Sequence, residues 1–154
     1  MKRKIRGWIL VLCSLSGSVY ADGPGSLIVQ YENALRQQSS AKLEAVLSEK
    51  LSVEVTLLMA DEDPVTVSLS RDEFLQQQRA LWLFSTEHAF EFSRPVVKQV
   101  SQESGRQRWE VTLEQQERYA LFRSTLKRDN QIPLVVEQHD DVQRIFAMNV
   151  VTRE

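Results

Sequence analysis

Cysteine, histidine and glycine are scarce in this chain, and each scarcity excludes a class of site. The single cysteine, Cys13, has no partner for an intrachain disulfide and cannot form a cysteine-based metal site. Two histidines, His88 and His139, without accompanying cysteines argue against a zinc site. The five glycines form neither a phosphate-binding loop nor a G-x-S-x-G nucleophile motif. The sequence therefore predicts no metal and no cofactor.

The N-terminus differs from the rest of the chain and predicts export. Four of the first six residues are basic, an apolar run follows over Trp8–Leu15, and Val19-Tyr20-Ala21 offers suitable residues before a cleavage site. This order is typical of a secretory signal peptide. The apolar run is shorter than the roughly 20 residues that span a bilayer, which disfavours an uncleaved anchor. We therefore predict a signal peptide over residues 1–21, cleavage between Ala21 and Asp22, and a periplasmic or secreted protein.

Beyond that segment the chain has no block of basic residues. Removal of residues 1–21 would take the formal net charge from −2 to −6. Because phosphate contacts need clustered lysine and arginine, this composition argues against a nucleic-acid partner. We also expect no stable membrane insertion after cleavage.

Residues 22–154 have the length of one domain. Apolar residues recur at helical spacing over Leu27–Leu35, and a second short stripe covers Leu43–Leu47. The break between them, Gln38-Ser39-Ser40, offers a hydroxyl cap. Residues Leu51–Leu57 alternate between apolar and polar, which predicts a half-buried strand.

A third helix and a series of strands complete the pattern. Ser70-Arg71-Asp72-Glu73 matches a capping box and predicts a helix start. From Glu87 the period is two, and the predicted strands are His88–Phe92, Val96–Val100, Trp109–Leu113, Tyr119–Leu126, Ile132–Val136 and Val142–Val150, with turns at Ser104-Gly105, Asp129-Asn130 and His139-Asp140-Asp141. Helices grouped against an antiparallel sheet predict an α+β fold. A strongly bent sheet around the N-terminal helices would leave a cone with one open mouth.

The residues of the first two helices and the first strand carry a resemblance. Tyr31, Ala34-Leu35, Leu43, Val46-Leu47 and Val53-Glu54, followed by the capped third helix and the terminal strands, resemble the NTF2-like superfamily, which includes SnoaL-like domains and ketosteroid isomerase. In element order the resemblance covers nearly all of the chain after residue 21. It implies the cystatin-like cone of that superfamily.

The resemblance also implies positions for catalytic residues, and two of them are apolar here. Isomerases of this superfamily carry a helix-1 tyrosine that donates to a developing enolate, and Tyr31 matches it in spacing. Their general base falls on Val55, and the adjacent Glu54 points to the other face of the strand. Their second donor, a protonated aspartate, falls near Leu134-Val135. These substitutions argue against the isomerase mechanism.

Three polar residues are candidates for a cavity. Tyr31 combines an apolar body with a hydroxyl, although ordinary packing is the alternative. His88 shares a face with Phe90 and is either a general base or a core histidine bonded to backbone; no acid partner is readable, which favours the second. Gln78 lies on the apolar face of the third helix and either lines the cavity or reaches solvent.

Apolar residues complete the predicted cavity set: Val55, Phe90 and Trp109. A tryptophan is more often a core residue, and this alternative stays open for Trp109. The polar run Glu114-Gln115-Gln116-Glu117 is interpreted as a solvated face or loop edge.

Two functions remain open at this point. The first is a non-catalytic exported domain that binds a small apolar ligand in its cone or a protein partner through its sheet. The apolar character of Tyr119–Leu126 on both faces favours a homodimer through the sheet. The second is a cofactor-free lyase, hydratase or isomerase that uses Tyr31 and His88. The two hypotheses differ in whether Tyr31 and His88 converge on one cavity.

Overall fold

The computed structural model describes residues 23–103 and 105–153. The predicted signal peptide, residues 1–21, and its cleavage site lie outside the described residues. The elements in chain order are α1 (Gly25–Arg36), α2 (Ser40–Val46), β1 (Leu47–Leu58), β2 (Val65–Ser70), α3 (Arg71–Phe84), β3 (Ser85–Phe92), β4 (Val96–Glu103), β5 (Arg106–Leu121), β6 (Ser124–His139) and β7 (Val142–Arg153).

The helices begin where the sequence places hydroxyl caps. The Ser39 side chain accepts from the backbone N–H of Lys42 at the start of α2. At the start of α3, Ser70 accepts from the backbone of Glu73, whose carboxylate accepts from the Ser70 N–H in return. The predicted capping box is therefore confirmed. The predicted apolar face of α1 is buried. Arg71, the first residue of α3, donates a side-chain hydrogen bond to Glu44 of α2.

Seven strands form one large curved sheet with the order β2-β1-β7-β6-β5-β3, and β4 pairs with the first part of β5. All pairs are antiparallel except β1 with β7, which is parallel, so the sheet is mixed. The helices cover its inner face, and one core of helix and strand residues fills the space between them. The α+β class predicted from the sequence is confirmed.

The C-terminal strands are longer than the sequence analysis predicted. Trp109–Leu113 and the start of Tyr119–Leu126 belong to one strand, β5, and a turn at Phe122-Arg123 interrupts the second range. The predicted turn at Asp129-Asn130 is wrong, because both residues lie inside β6. Pairing with β5 on one side and β7 on the other overrides the turn preference of Asp and Asn.

No helix among the described residues is long and apolar enough to cross a membrane. Exposed apolar residues occur on β2, at the end of α3, on β4 and at the β5–β6 turn. At that turn Phe122 is 89% exposed and has a left-handed backbone conformation with φ 56°.

Candidate functional site

A cavity of about 280 Å³ lies between α1, α3 and the inner face of the sheet. Most of its wall is aliphatic or aromatic, with contributions from every layer of the fold. Eight lining side chains can form hydrogen bonds: Tyr31, Gln77, Gln78, Gln115, Glu117, Arg128, Asn130 and Thr152. Pockets that are mostly apolar with a few convergent polar groups are typical ligand sites. This cavity is therefore the candidate functional site.

Strand alternation brings a carboxylate into the cavity. Every second residue of β5 from Trp109 to Tyr119 faces inward and is buried, and this series includes Gln115 and Glu117. Glu117 is only 8% exposed. The interpretation of the run Glu114–Glu117 as a solvated face is therefore wrong for its two odd-numbered residues.

Two residues of β6 face Glu117 and hold its carboxylate. Arg128 is its direct cross-strand partner, and Asn130 donates a side-chain hydrogen bond to it. The amide orientation of Asn130 is fixed from behind, because Thr152 Oγ1 donates to Asn130 Oδ1 at 2.8 Å. This leaves the Asn130 NH₂ group for Glu117. Polar groups of three adjacent strands thus meet at one end of the cavity.

Burial controls the protonation of the cavity acids. It raises the pKa of Glu117 above the ordinary range of a carboxyl group, and Arg128 and Asn130 offset part of that effect. Burial also raises the pKa of Tyr31, with smaller contributions from Glu117 and Glu32, so its hydroxyl stays protonated. The site therefore combines a neutral phenol with a carboxyl group that stays protonated to higher pH than an ordinary carboxyl group.

A bulge in β3 turns His88 toward the inside of the sheet. The pairing of β3 with β5 shifts register between Thr86 and Ala89, and Glu87 has a left-handed backbone conformation with φ 56°. A bulge adds one residue and reverses which positions face inward. As a result Ser85 and His88 point to the same side, although three positions separate them. Bulges of this kind are common beside functional sites.

The His88 side chain is buried among aromatic rings. Its ring stacks on Tyr119 at 5.5 Å and on Phe90 at 5.9 Å between centroids. Nε2 contacts the Ser85 hydroxyl, and Nδ1 lies 4.0 Å from Glu117 Oε1. Burial lowers the pKa of His88, so the neutral imidazole is favoured.

The predicted cavity residues divide into two groups. Tyr31, Val55, Gln78 and Phe90 line the cavity. His88 and Trp109 are not among its lining residues in the described part of the chain, and these two predictions are corrected. The His88 ring is covered by Phe90 and Tyr119.

The second correction concerns Trp109, which lies six residues before Gln115 on the inward face of β5 and packs in the core. Tyr31 and His88 therefore do not share the cavity wall, and Glu117 lies close to both of them. The ionisable group at the cavity wall in place of His88 is therefore Glu117, which was predicted to face solvent.

The site residues that sequence analysis missed are Glu117, Arg128, Asn130 and Thr152. One signal for Glu117 was present: extending the alternation of Trp109, Val111 and Leu113 places it on the buried face. A carboxylate at a position that should be apolar indicates a functional site. For the other three residues the register of β6 and β7 was needed, which the sequence does not fix.

The other histidine lies apart from this site. His139 Nε2 is 3.4 Å from Glu137 Oε2 on an exposed part of β6. Within residues 23–103 and 105–153, no group of three or more histidine, cysteine or acidic side chains could hold a metal ion.

Comparison with known proteins relates this architecture to a large set of solved structures. No protein-family model matches the chain, and no curated protein sequence does. An NTF2-like protein of unknown function in nutrient uptake from Rhodospirillum rubrum superposes with a TM-score of 0.67 at 11% identity, over 84% of this chain and 98% of that one. This chain has the NTF2-like fold. The predicted resemblance to that superfamily is confirmed at the level of structure.

Other NTF2-like neighbours carry different descriptions. A candidate scytalone dehydratase from Novosphingobium aromaticivorans matches with a TM-score of 0.57 at 16% identity, over 83% of this chain and 80% of that one. A ketosteroid isomerase-like protein from Erwinia carotovora matches with a TM-score of 0.55 at 8% identity, over 83% and 92%. Identities this low establish the fold alone. The NTF2-like neighbours include proteins of unknown function as well as candidate dehydratases and isomerase-like proteins.

Proposed function

We propose that this NTF2-like protein binds a small, largely apolar organic molecule in its cavity and holds one polar group of that molecule at Glu117. The observation that supports the proposal is the arrangement of the wall: aliphatic and aromatic side chains surround the space, and the polar side chains of Glu117, Asn130 and Arg128 meet at one end. An apolar wall favours burial of a ligand body, and few polar groups fix its orientation.

The cavity volume limits the size of this molecule. At about 280 Å³ it lies just below the usual range of about 300–1,000 Å³ for ligand pockets. A bicyclic body with one short substituent suits that volume. A polar group of the ligand that lies against apolar side chains would be buried without a hydrogen-bond partner, which costs free energy. We therefore expect the part of the ligand that contacts the apolar wall to be apolar.

A matched pair of probes tests the binding role. We expect 2-acetylnaphthalene, which carries a carbonyl oxygen, to bind more tightly than 2-ethylnaphthalene, which has the same ring system and lacks the acceptor oxygen. Chemical-shift changes of cavity residues in NMR titrations would report both dissociation constants. If neither probe perturbs residues that line the cavity, the proposal is wrong.

A blocked cavity provides the control. Leu69 of β2 lines the cavity, whereas Ser68 is exposed and points to the opposite face of the strand. We expect Leu69→Trp to abolish binding of 2-acetylnaphthalene and Ser68→Trp to leave it unchanged. Equal affinities of the two variants would place the probe outside the cavity.

Cofactor-free catalysis as a lyase, hydratase or isomerase is the second candidate function. It is favoured by Glu117, an ionisable group that lines the cavity with a pKa raised by burial, as catalytic acids and bases often are. In this version Glu117 takes the place of the Tyr31–His88 pair. Exchange of the methyl protons of 2-acetylnaphthalene in D₂O separates the functions: rapid exchange that Glu117→Gln abolishes would support catalysis, and binding without exchange would support the binding role.

We also propose that the protein acts outside the cytoplasm, on the pattern of its first 21 residues. Intact-mass measurement of the protein from a periplasmic fraction should give a chain that begins at Asp22. A homodimer through the sheet stays a prediction, which light scattering of the purified mature protein would test. That prediction rests on apolar residues in the range Tyr119–Leu126. In this range Tyr119 is buried, and the exposed large apolar residue is Phe122 at the β5–β6 turn.

A further inference from the structure

Three side chains connect the end of α3 with the cavity. The Ser85 hydroxyl donates to the carbonyl oxygen of Leu81, and the same hydroxyl oxygen contacts His88 Nε2. A hydroxyl has one proton, and a carbonyl oxygen can only accept. Because the Ser85 proton is directed to Leu81, the Ser85 oxygen must accept a hydrogen bond from Nε2–H of His88.

This contact fixes the tautomer of His88. In the neutral imidazole one nitrogen carries the proton and the other presents a lone pair, and the partner of one nitrogen determines the state of the other. With the proton on Nε2, Nδ1 is an acceptor. Nδ1 is fully buried and has no hydrogen-bond partner among the described residues. A buried acceptor left in this state costs free energy, so the surroundings of Nδ1 matter.

Nδ1 faces the carboxyl group of Glu117. Glu117 Oε1 lies 4.0 Å away, and the two side chains are 3% and 8% exposed. A movement of about 1 Å would bring these atoms to the distance of an O–H···N hydrogen bond. Both atoms are acceptors unless a proton lies between them. The pair is therefore satisfied when it holds one proton and unsatisfied when it holds none.

Burial outweighs the effect of Arg128 and Asn130, which by themselves favour the ionised form of Glu117. Arg128 and Asn130 of β6 face Glu117, Tyr31 of α1 lies close to it, and Tyr119 of β5 stacks on His88. Burial favours the neutral form of both His88 and Glu117. In that state the proton lies on the carboxyl group, which also lines the cavity.

We propose that His88 and Glu117 hold one proton between them and that Glu117 presents it to an acceptor oxygen, such as a carbonyl, of an uncharged molecule bound in the cavity. The second half rests on the proposed function, because it takes the cavity as a ligand site. Glu117 is the group that touches the ligand. His88 is a positioning residue that acts through Glu117, and Ser85 fixes the His88 tautomer.

The proton balance of this arrangement is simple. While the ligand is only bound, the O–H bond of Glu117 stays intact and its hydrogen bond turns from Nδ1 to the ligand oxygen. If the proton is transferred, the Glu117 O–H bond breaks, the ligand gains an O–H bond, and the Glu117 carboxylate remains beside Arg128 and Asn130. No oxidant, reductant or metal enters the step.

NMR of the ligand-free protein tests the proton-holding pair directly. The chain has two histidines, so His139 serves as an internal reference in ¹⁵N-histidine spectra. We expect His88 to show the Nε2–H tautomer and to share its titration steps with the Glu117 carboxyl carbon, as strongly coupled groups do. An Nδ1–H tautomer, or unrelated titration midpoints at the two side chains, would overturn the proposal.

Two variants sharpen the result. We expect Glu117→Gln to keep the Nε2–H tautomer of His88 and to abolish the shared titration step, because the Gln amide can donate to Nδ1 but cannot release a proton. The matched control is Glu137→Gln, which removes the carboxylate near His139 and should leave His88 unchanged. If Glu117→Gln fails to fold, Ser85→Ala still tests the contact between Ser85 and His88. Loss of the hydroxyl that accepts from Nε2–H should increase the population of the Nδ1–H tautomer of His88. Unchanged tautomer populations would contradict the proposed role of Ser85.

The ligand half has a separate readout. We expect the affinity for 2-acetylnaphthalene to fall about tenfold, the value of one hydrogen bond to a buried group, as pH rises through the Glu117 titration. Binding of 2-ethylnaphthalene should not change with pH. If neither probe binds, the proposed function fails while the NMR result on the pair stands. If both bind independently of pH, Glu117 does not present its proton to the ligand.

Discussion

His88 Nδ1 lies 4.0 Å from Glu117 Oε1, and both side chains are almost wholly removed from solvent. The contact joins a histidine that belongs to the core with a carboxyl group that belongs to the cavity wall. It depends on the β3 bulge, which gives His88 its inward direction, and on the alternation of β5, which gives Glu117 its own. Changes to either residue should therefore affect both stability and ligand binding.

Glu117 should make the folded protein less stable as pH rises above 4.5. Burial raises its pKa in the folded state, so between 4.5 and the folded pKa the folded chain binds more protons than the unfolded chain. The stabilising contribution is complete below 4.5 and is lost through this window. We expect urea denaturation to show that the stability of the wild type relative to Glu117→Gln falls as pH rises. A difference that stays constant with pH would contradict the assignment.

His88 should have the opposite effect. Burial lowers its pKa, so between the folded pKa and 6.5 the folded chain binds fewer protons than the unfolded chain. Its contribution is complete above 6.5 and is lost as pH falls. We expect His88→Gln to remove part of the acid sensitivity measured by urea denaturation. If His88→Gln leaves the acid sensitivity unchanged, other groups are responsible for it.

The left-handed backbone at Glu87 gives the bulge a sharp test. A residue with a branched Cβ is disfavoured at φ 56°, where an L-residue already costs roughly 1–2 kcal/mol. We expect Glu87→Val to destabilise the protein by at least about 1 kcal/mol and Glu87→Gly to be tolerated. Glu91→Val, at an exposed position of the same strand, should be nearly neutral. Thermal and urea unfolding of the three variants would measure the differences.

The capping box at α3 should have a measurable but moderate value. Ser70 accepts from the Glu73 N–H, and loss of an N-cap hydroxyl usually costs about 1 kcal/mol. We expect Ser70→Ala to destabilise the protein by this amount in urea unfolding. Ser68→Ala, on the same strand but with no cap contact, is the control. Equal stability of Ser70→Ala and wild type would show that packing of Phe74 and Leu75 alone holds the helix start.

Local sequence patterns predicted the helices and the fold class, because helix caps and the spacing of apolar residues depend only on residues that are close in sequence. The Ser70–Glu73 box and the buried face of α1 follow from spacing alone. The long hairpin of β5 and β6 did not follow, since Asp129-Asn130 is a turn signal in isolation. It lies in a strand only because partners on both sides satisfy its backbone.

The candidate site was predicted only in part, because local patterns indicate which face of an element a residue lies on but not how neighbouring strands are aligned. Tyr31, Val55 and Gln78 could be assigned to the cavity from the face of their own helix or strand. The inward direction of Glu117 was readable in β5, whereas its contacts with Arg128, Asn130 and His88 depend on register and on a bulge. A one-residue shift reverses every side chain, and no single segment specifies that shift.

Tyr31 offers the last test, which separates cavity binding from packing. Its ring is buried, its side chain lines the cavity, and burial keeps the hydroxyl protonated by raising its pKa. Removal of the hydroxyl keeps the ring and its packing, so we expect stability to change by no more than the roughly 1 kcal/mol of one ordinary hydrogen bond. If the hydroxyl serves the ligand, Tyr31→Phe should weaken binding of 2-acetylnaphthalene several-fold and leave 2-ethylnaphthalene unaffected. Ser68→Ala, at an exposed position of β2 that does not line the cavity, is the control and should not alter either affinity. A large loss of stability in Tyr31→Phe with unchanged binding would assign Tyr31 to the core.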